Sequence, residues 1–247
     1  MRLSLYSLNY QIMIAHYGYS LENEEKSIIS LLSYNVDALI LSSKIHTEKT
    51  NKILKSVNIP VVEIMDIESD LGFPTIGFDN FEASKEMTIA MLNSGREHIA
   101  YFAARMDYRT QKKIDGYCAA MQSMNKDRII LKTDSPSSFT LGGQLLRDVI
   151  DKYPNVDGIF CTNDDLAIGA LYECQRQQIS VPDTMAIAGF HGHDISQAMV
   201  PKMATVITPR EAIGKIASER VIGFLQGSIA TIEHSELNYV ISLSDTV

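Results

Sequence analysis

Short apolar runs alternate with longer amphipathic stretches along almost the whole chain. The runs Gln11–Ala15, Val36–Leu41, Ile59–Ile64, Thr75–Phe78, Ile99–Ala103, Ile129–Leu131, Val156–Cys161 and Met185–Gly189 predict strands, and Ile232–Leu243 holds the last ones. Helical periodicity predicts helices over Tyr19–Tyr34, Thr47–Val57, Phe81–Ser94, Gln111–Ser123, Thr140–Lys152, Leu166–Gln177 and Pro209–Leu225. In the first of these, Ile28, Ile29, Leu31 and Leu32 recur at the spacing that lines one helix face. Asn80 is placed to cap the helix after Phe78, and Pro209 suits a helix start. Strands alternating with helices in this way indicate parallel βαβ units covered on both faces, an α/β fold. The rhythm runs twice with no flexible linker between, which predicts two intimate lobes.

Length and charge narrow this picture. The 247 residues suffice for one large domain or two modest lobes. Asp plus Glu outnumber Lys plus Arg by 30 to 22, a net charge of −8. That balance argues against nucleic-acid binding by this chain, because phosphate affinity comes mainly from Lys and Arg. No apolar run is long enough to span a bilayer, and Met1–Leu8 lacks the features of a secretory leader, so a cytoplasmic location is expected. Cys118, Cys161 and Cys174 form no paired motif and read as buried, reduced thiols.

In open parallel sheets ligands sit beyond the carboxyl ends of the strands, so the residues just after each strand carry the chemistry. Several of these ends are polar in a concentrated way. Phe78 leads into Asp79-Asn80-Phe81-Glu82, Cys161 into Thr162-Asn163-Asp164-Asp165, Phe190 into His191-Gly192-His193-Asp194, and Ile207 into Thr208-Pro209-Arg210-Glu211. Any one of them could be a helix cap or turn, since Asp and Asn favour both for local reasons. Taken together they point at one crevice and a small polar ligand. His191, His193 and Asp164 could alternatively serve a metal-assisted hydrolase, since His and carboxylates are usual metal ligands. No helical metal-binding spacing, nucleophile elbow or phosphate-binding glycine loop supports catalysis, and no cofactor is expected. His46, after the second strand, either lines the crevice or sits in a surface loop.

The sequence resembles the lactose/galactose-repressor (LacI/GalR) family. Val181-Pro-Asp-Thr-Met-Ala-Ile-Ala-Gly-Phe190, Cys161-Thr-Asn-Asp-Asp-Leu-Ala-Ile-Gly169, Asp79-Asn80 with Ser94-Gly95 and Ile99-Ala-Tyr101, and Thr205-Val-Ile-Thr-Pro209 follow the family's motifs in family order. Within it, Ala15-His-Tyr-Gly-Tyr19, Gly77-Phe-Asp-Asn-Phe-Glu-Ala83 and Gly189-Phe-His-Gly-His-Asp194 resemble the branch that governs gluconate use. The resemblance implies a two-lobed, periplasmic-binding-protein-like (type I) effector domain of parallel sheets flanked by helices. Residues 1–97 with 209–228 would form the first lobe, and residues 98–208 with 229–247 the second. The family's helix-turn-helix segment and first central strand have no counterpart in this sequence. A truncated product with a weakened first lobe is therefore expected, with Leu3 and Leu5 at best a poor substitute for the strand. No DNA binding is expected, and a homodimer is expected only if that lobe is intact. A stand-alone sugar- or aldonate-binding protein is the alternative.

Carried over residue by residue, the resemblance places Asn163 at the family's sugar-binding Asn. His191 stands where most members carry an Asp, and Lys113, three residues before Gly116, stands where they carry an effector-binding Arg. Glu82 and Thr208 fall near further contact positions, Phe81 and Asp165 sit at the same strand ends, and Arg109 adds positive charge nearby. Replacing Asp by His removes a negative charge, and with Lys113 and Arg109 this favours an anionic effector over a neutral sugar. Gluconate or a related aldonate is the expected partner. Lys113 and His191 would engage its carboxylate, and Asn163 and Glu82 its hydroxyls.

Overall fold

A computed structural model describes residues 10–247, so the readings made on Met1–Leu8 lie outside the described residues. In chain order the first elements are α1 (Leu21–Ser33), β1 (Leu39–Leu41), α2 (Glu48–Ser56), β2 (Val61–Ile64), β3 (Thr75–Gly77), α3 (Asn80–Asn93), β4 (Ile99–Ala104), α4 (Tyr108–Ser123) and β5 (Ile129–Thr133). There follow α5 (Phe139–Lys152), β6 (Gly158–Cys161), α6 (Asp164–Arg176), β7 (Ala186–His191), α7 (Asp194–Ala198), β8 (Ala204–Ile207), α8 (Arg210–Leu225), β9 (Ser235–Glu236) and β10 (Val240–Ser242).

These elements pack as two units. Unit 1 comprises Met1–Asp79 and Pro209–Asn238, and unit 2 comprises Asn80–Thr208 and Tyr239–Val247. The sequence reading drew the lines at 97/98 and 228/229. The packing moves both, for identifiable reasons. Helix α3 lies along α4 and so belongs to unit 2, while β9 extends the unit 1 sheet by pairing with β3.

Unit 1 holds a four-stranded parallel sheet in the order β1-β2-β3-β9. Helix α1 starts where Ser20 Oγ accepts the Asn23 amide, and α2 where Thr47 Oγ1 accepts that of Thr50, each satisfying a donor the helix leaves open. The core between them is small: Ile28, Leu39, Leu41, Leu54 and Val61. Among the described residues no strand pairs with the outer edge of β1. The run Gln11–Ala15, expected as a strand, is not one, and Ile14 is 89% exposed. An apolar run without a neighbouring strand has nothing to satisfy its amides and carbonyls except water, so its propensity goes unused.

Unit 2 is the better built. Its six-stranded sheet runs β10-β8-β7-β6-β4-β5, parallel except for the antiparallel β10–β8 pair. Phe102, Leu146, Ile159, Leu166, Leu171 and Ile187 are among its fully buried side chains. Each such burial stabilises by about 1.5–3 kcal/mol. Cys118, Cys161 and Cys174 are free thiols; Cys161 and Cys174 are buried as expected, whereas Cys118 is only partly buried. Burial raises all of them, lifting Cys174 to about 12, so they serve as packing groups rather than nucleophiles.

Candidate functional site

The strand register aligns the carboxyl ends of unit 2. Phe102 lies opposite Cys161, and His191 opposite Ile207. Asn163, His191 and Thr208 therefore leave the sheet along the same end.

Helix α4 brings Lys113 to that end. The helix begins earlier than Gln111, at Tyr108, because Asp107 caps it by accepting the Thr110 amide at 2.8 Å. This puts Arg109 in the first turn, its guanidinium 3.9 Å from the Asp107 carboxylate. Lys113, one turn further on, is only 4% exposed. Its Nζ donates to the Thr162 carbonyl at 3.2 Å, lies 3.8 Å from the centre of the Phe190 ring and stands 3.3 Å from His191 Nε2. Burial and the nearby Arg109 charge lower its ammonium to about 7, against the opposing pull of Asp107 and Asp164.

Beneath Lys113 lies a floor of aromatic rings on neighbouring strands. Tyr101 on β4 meets Phe160 on β6 edge-on at 5.2 Å, and Phe160 stacks at 6.4 Å on Phe190 of β7. The order of the strands alone produces this row, because Tyr101 and Phe160 are register partners.

Helix α3 is held against α4 at Gly116, where a Cβ would lie 2.2 Å from the Phe81 carbonyl oxygen. Ser84 Oγ also donates to the Lys113 carbonyl at 2.6 Å. The backbones of Phe81 and Lys113 are thereby brought together. Asn80, expected as the cap, is instead the first residue of α3. The carboxylate of Glu82 pairs with Lys85 on its own helix at 3.0 Å, and the Lys85 ammonium sits 5.8 Å above the Phe81 ring. Both of these contacts lie within α3.

Asn163 caps α6. Its Oδ1 accepts the Leu166 amide at 3.2 Å and the Ser137 hydroxyl at 2.8 Å, so its amino group is the half it can turn to a ligand. His191 closes β7 with φ +104°, sparse territory for a residue with a Cβ. Its carbonyl accepts the Thr208 hydroxyl at 3.3 Å, which ties β7 to β8 where the site opens. His191 and His193 stack at 5.8 Å, and His193 stands 3.9 Å from the Asp165 carboxylate.

Asp164 has a different task from the metal ligation that its sequence neighbours suggested. Fully buried, it accepts the His193 amide, the Ser196 hydroxyl at 3.0 Å and the Thr205 hydroxyl at 2.7 Å. Burial raises its carboxyl, and those donors oppose the rise. It thus ties α6, the loop after β7 and β8 together. Among the described residues no cluster of three His, Cys, Asp or Glu side chains is disposed to hold a metal ion.

Sequence reasoning missed Phe190 and the Thr162 carbonyl, both in contact with Lys113. Phe190 adjoins His191 in a strand, where neighbours ordinarily face opposite sides. The positive φ of His191 breaks that alternation, and no pattern of residue types announces it.

A family model for a periplasmic binding protein-like domain matches residues 76–242. The HTH-type transcriptional regulator GntR of Escherichia coli K12 is 47% identical over 233 residues, covering 94% of this chain and 70% of that protein. Among solved structures, a LacI family transcriptional regulator from Silicibacter pomeroyi superposes with a TM-score of 0.90 at 27% identity, over 98% of this chain and 90% of that one. The chain belongs to the LacI family of transcriptional regulators. The transcription regulator GntR from Chromobacterium violaceum is another structural relative, with a TM-score of 0.93 at 30% identity over 99% of this chain and 91% of that one. Measured against its LacI-family relatives, this α/β chain carries the periplasmic-binding-protein-like architecture. None of the helices among its described residues is long and apolar enough to cross a membrane.

Proposed function

We propose that this chain is the effector-binding core of a LacI-family repressor and that its effector is a sugar acid, gluconate or a close aldonate. One observation carries the reading. Lys113 is a buried cation with no carboxylate within ion-pair distance among the described residues. A charge removed from water without a counter-ion is costly, and an anionic ligand relieves that cost.

The surroundings suit a polyhydroxylated carboxylate. Lys113 and His191 supply donors for the carboxylate, and Arg109 adds positive charge at the start of α4. The amino group of Asn163 and the hydroxyl of Thr208 offer hydrogen bonds to sugar hydroxyls, while Phe190 provides an apolar face. Glu82 and Phe81 complete the set if α3 turns them to the ligand, with Asp165 held at the rim by His193. A ligand that prefers one arrangement of the two units shifts the population toward it, and in a full-length repressor this changes operator affinity. Homodimer formation through unit 1 belongs to the same reading.

A thermal-shift screen over gluconate, related aldonates and neutral sugars tests it. The reading expects stabilisation by aldonates and none by glucose. Stabilisation by neutral sugars alone rejects it.

A further inference from the structure

We propose that Ser137 sets the specificity of this site by holding the Asn163 side chain as a hydrogen-bond donor only, so that the ligand must present an acceptor oxygen there. The inference rests on the ligand-binding reading above and adds to it a positioning residue in the loop after β5.

Backbone packing brings the two residues together. Helices α5 and α6 meet near their starts with no side chain between them. A Cβ on Gly142 of α5 would overlap the Leu166 carbonyl oxygen of α6, and a Cβ on Gly169 of α6 would overlap the Phe139 carbonyl oxygen of α5. Each helix therefore gives the other a glycine to rest on, which fixes the two starts side by side. Ser138 caps α5 by accepting the Leu141 amide at 3.1 Å, and Asn163 caps α6 by accepting the Leu166 amide at 3.2 Å. Ser137 stands one residue before its own cap, so this packing sets its hydroxyl against the neighbouring one. Its Oγ donates to Asn163 Oδ1 at 2.8 Å.

The direction of these bonds follows from the groups involved. A backbone amide can only donate, so the atom that faces Leu166 is the oxygen of the Asn163 amide. That oxygen has two lone pairs, and Leu166 and Ser137 take one each. The amide plane is fixed at two points, and no acceptor capacity is left over. The amino group makes no hydrogen bond among the described residues, so a ligand meets Asn163 through its N–H donors alone.

The helix cap by itself does not produce this polarity. Its bond to Leu166 is the longer of the two and leaves one lone pair open, which a ligand hydroxyl could use as a donor. Ser137 removes that alternative. Lys113, a donor as its ammonium, then addresses the ligand in the same sense as Asn163. Carboxylate and hydroxyl oxygens of a sugar acid supply the matching acceptors.

Titration calorimetry of gluconate into the full chain and into Ser137→Ala, Ser137→Thr, Asn163→Ser and the double variant Ser137→Ala with Asn163→Ser separates positioning from loop stability. Asn163→Ser keeps a capping oxygen but has no amide to orient. Ser137→Ala is expected to weaken gluconate about threefold to tenfold, the worth of one hydrogen bond, and Ser137→Thr to restore it. Combined with Asn163→Ser, Ser137→Ala should add no further loss. In nitrogen-15 NMR spectra of the ligand-free protein, the Asn163 side-chain amide resonances should shift in Ser137→Ala and return in Ser137→Thr. Unchanged gluconate affinity in Ser137→Ala, or the same loss whether or not Asn163 is replaced, overturns the proposal and leaves the anion reading standing. Absence of gluconate binding to the wild type rejects the anion reading. The spectra then judge the positioning alone, and an Asn163 amide unmoved by Ser137→Ala overturns it.

Discussion

Gly189 and Asp164 share one space. A Cβ on Gly189 would lie 2.3 Å from Asp164 Oδ1, the oxygen that accepts the Thr205 hydroxyl. The absent side chain on β7 is what lets a buried carboxylate at the head of α6 reach across to β8 and to the loop that carries His193.

Gly189→Ala is expected to displace the carboxylate from its donors and destabilise unit 2 by about 2–3 kcal/mol, the range of overpacking plus a disturbed buried polar group. Denaturation in urea measures it. A variant as stable as the wild type would show that Asp164 has room to move.

Asp164→Ala leaves the His193 amide and the hydroxyls of Ser196 and Thr205 without their shared acceptor. A loss of about 2–4 kcal/mol is expected. The same variant should contain no less metal than the wild type, since the side chain holds strands and loop rather than an ion. Elemental analysis of both proteins checks this, and metal present in the wild type and lost in the variant would restore the hydrolase alternative.

Lys113→Met separates binding from folding. Removing a buried unpaired charge should leave stability within about 1 kcal/mol of the wild type or above it. Thermal melts of the two proteins without ligand decide this, and a marked loss of stability would mean that Lys113 is needed for the fold.

His46 gives unit 1 a pH dependence of its own. Its Nδ1 lies 2.8 Å from Glu24 and its Nε2 3.9 Å from Glu63, with all of these side chains buried. Burial disfavours the imidazolium, but the carboxylates outweigh it and raise the group from 6.5 to about 9. Because the folded value is the higher one, the stabilisation is complete below about pH 6.5 and is lost as pH rises through about 9. Up to about 3 kcal/mol is at stake, by the size of the shift. Hydrogen exchange in β1 and β2 should quicken across that window in the wild type, while His46→Gln should flatten the dependence. An equal pH dependence in both would assign it to other groups.

The sequence announced the alternation of elements, and most of it stands because unit 2 satisfies every strand with a neighbour. Gln11–Ala15 failed for the opposite reason: its apolar pattern is real, but it pairs with no strand among the described residues. The candidate site was legible at Asn163, His191 and Thr208 because they follow strands whose ends the parallel register aligns. Lys113 became visible only through the family resemblance, since a lysine in the second turn of a helix reads equally well as a solvated charge. Phe190 was hidden by a backbone angle at His191, and the tie made by Asp164 by contacts across long sequence separations.

The central claim is that the carboxyl end of the unit 2 sheet takes an anionic sugar acid through Lys113. Titration calorimetry at about pH 6 of gluconate and of glucose, against the wild type and Lys113→Met, tests it most directly. The account predicts gluconate binding to the wild type, no measurable glucose binding, and gluconate affinity about tenfold to hundredfold weaker in Lys113→Met, the worth of a charge-assisted hydrogen bond. Equal gluconate affinity in the two proteins, or preference for glucose in the wild type, would contradict it.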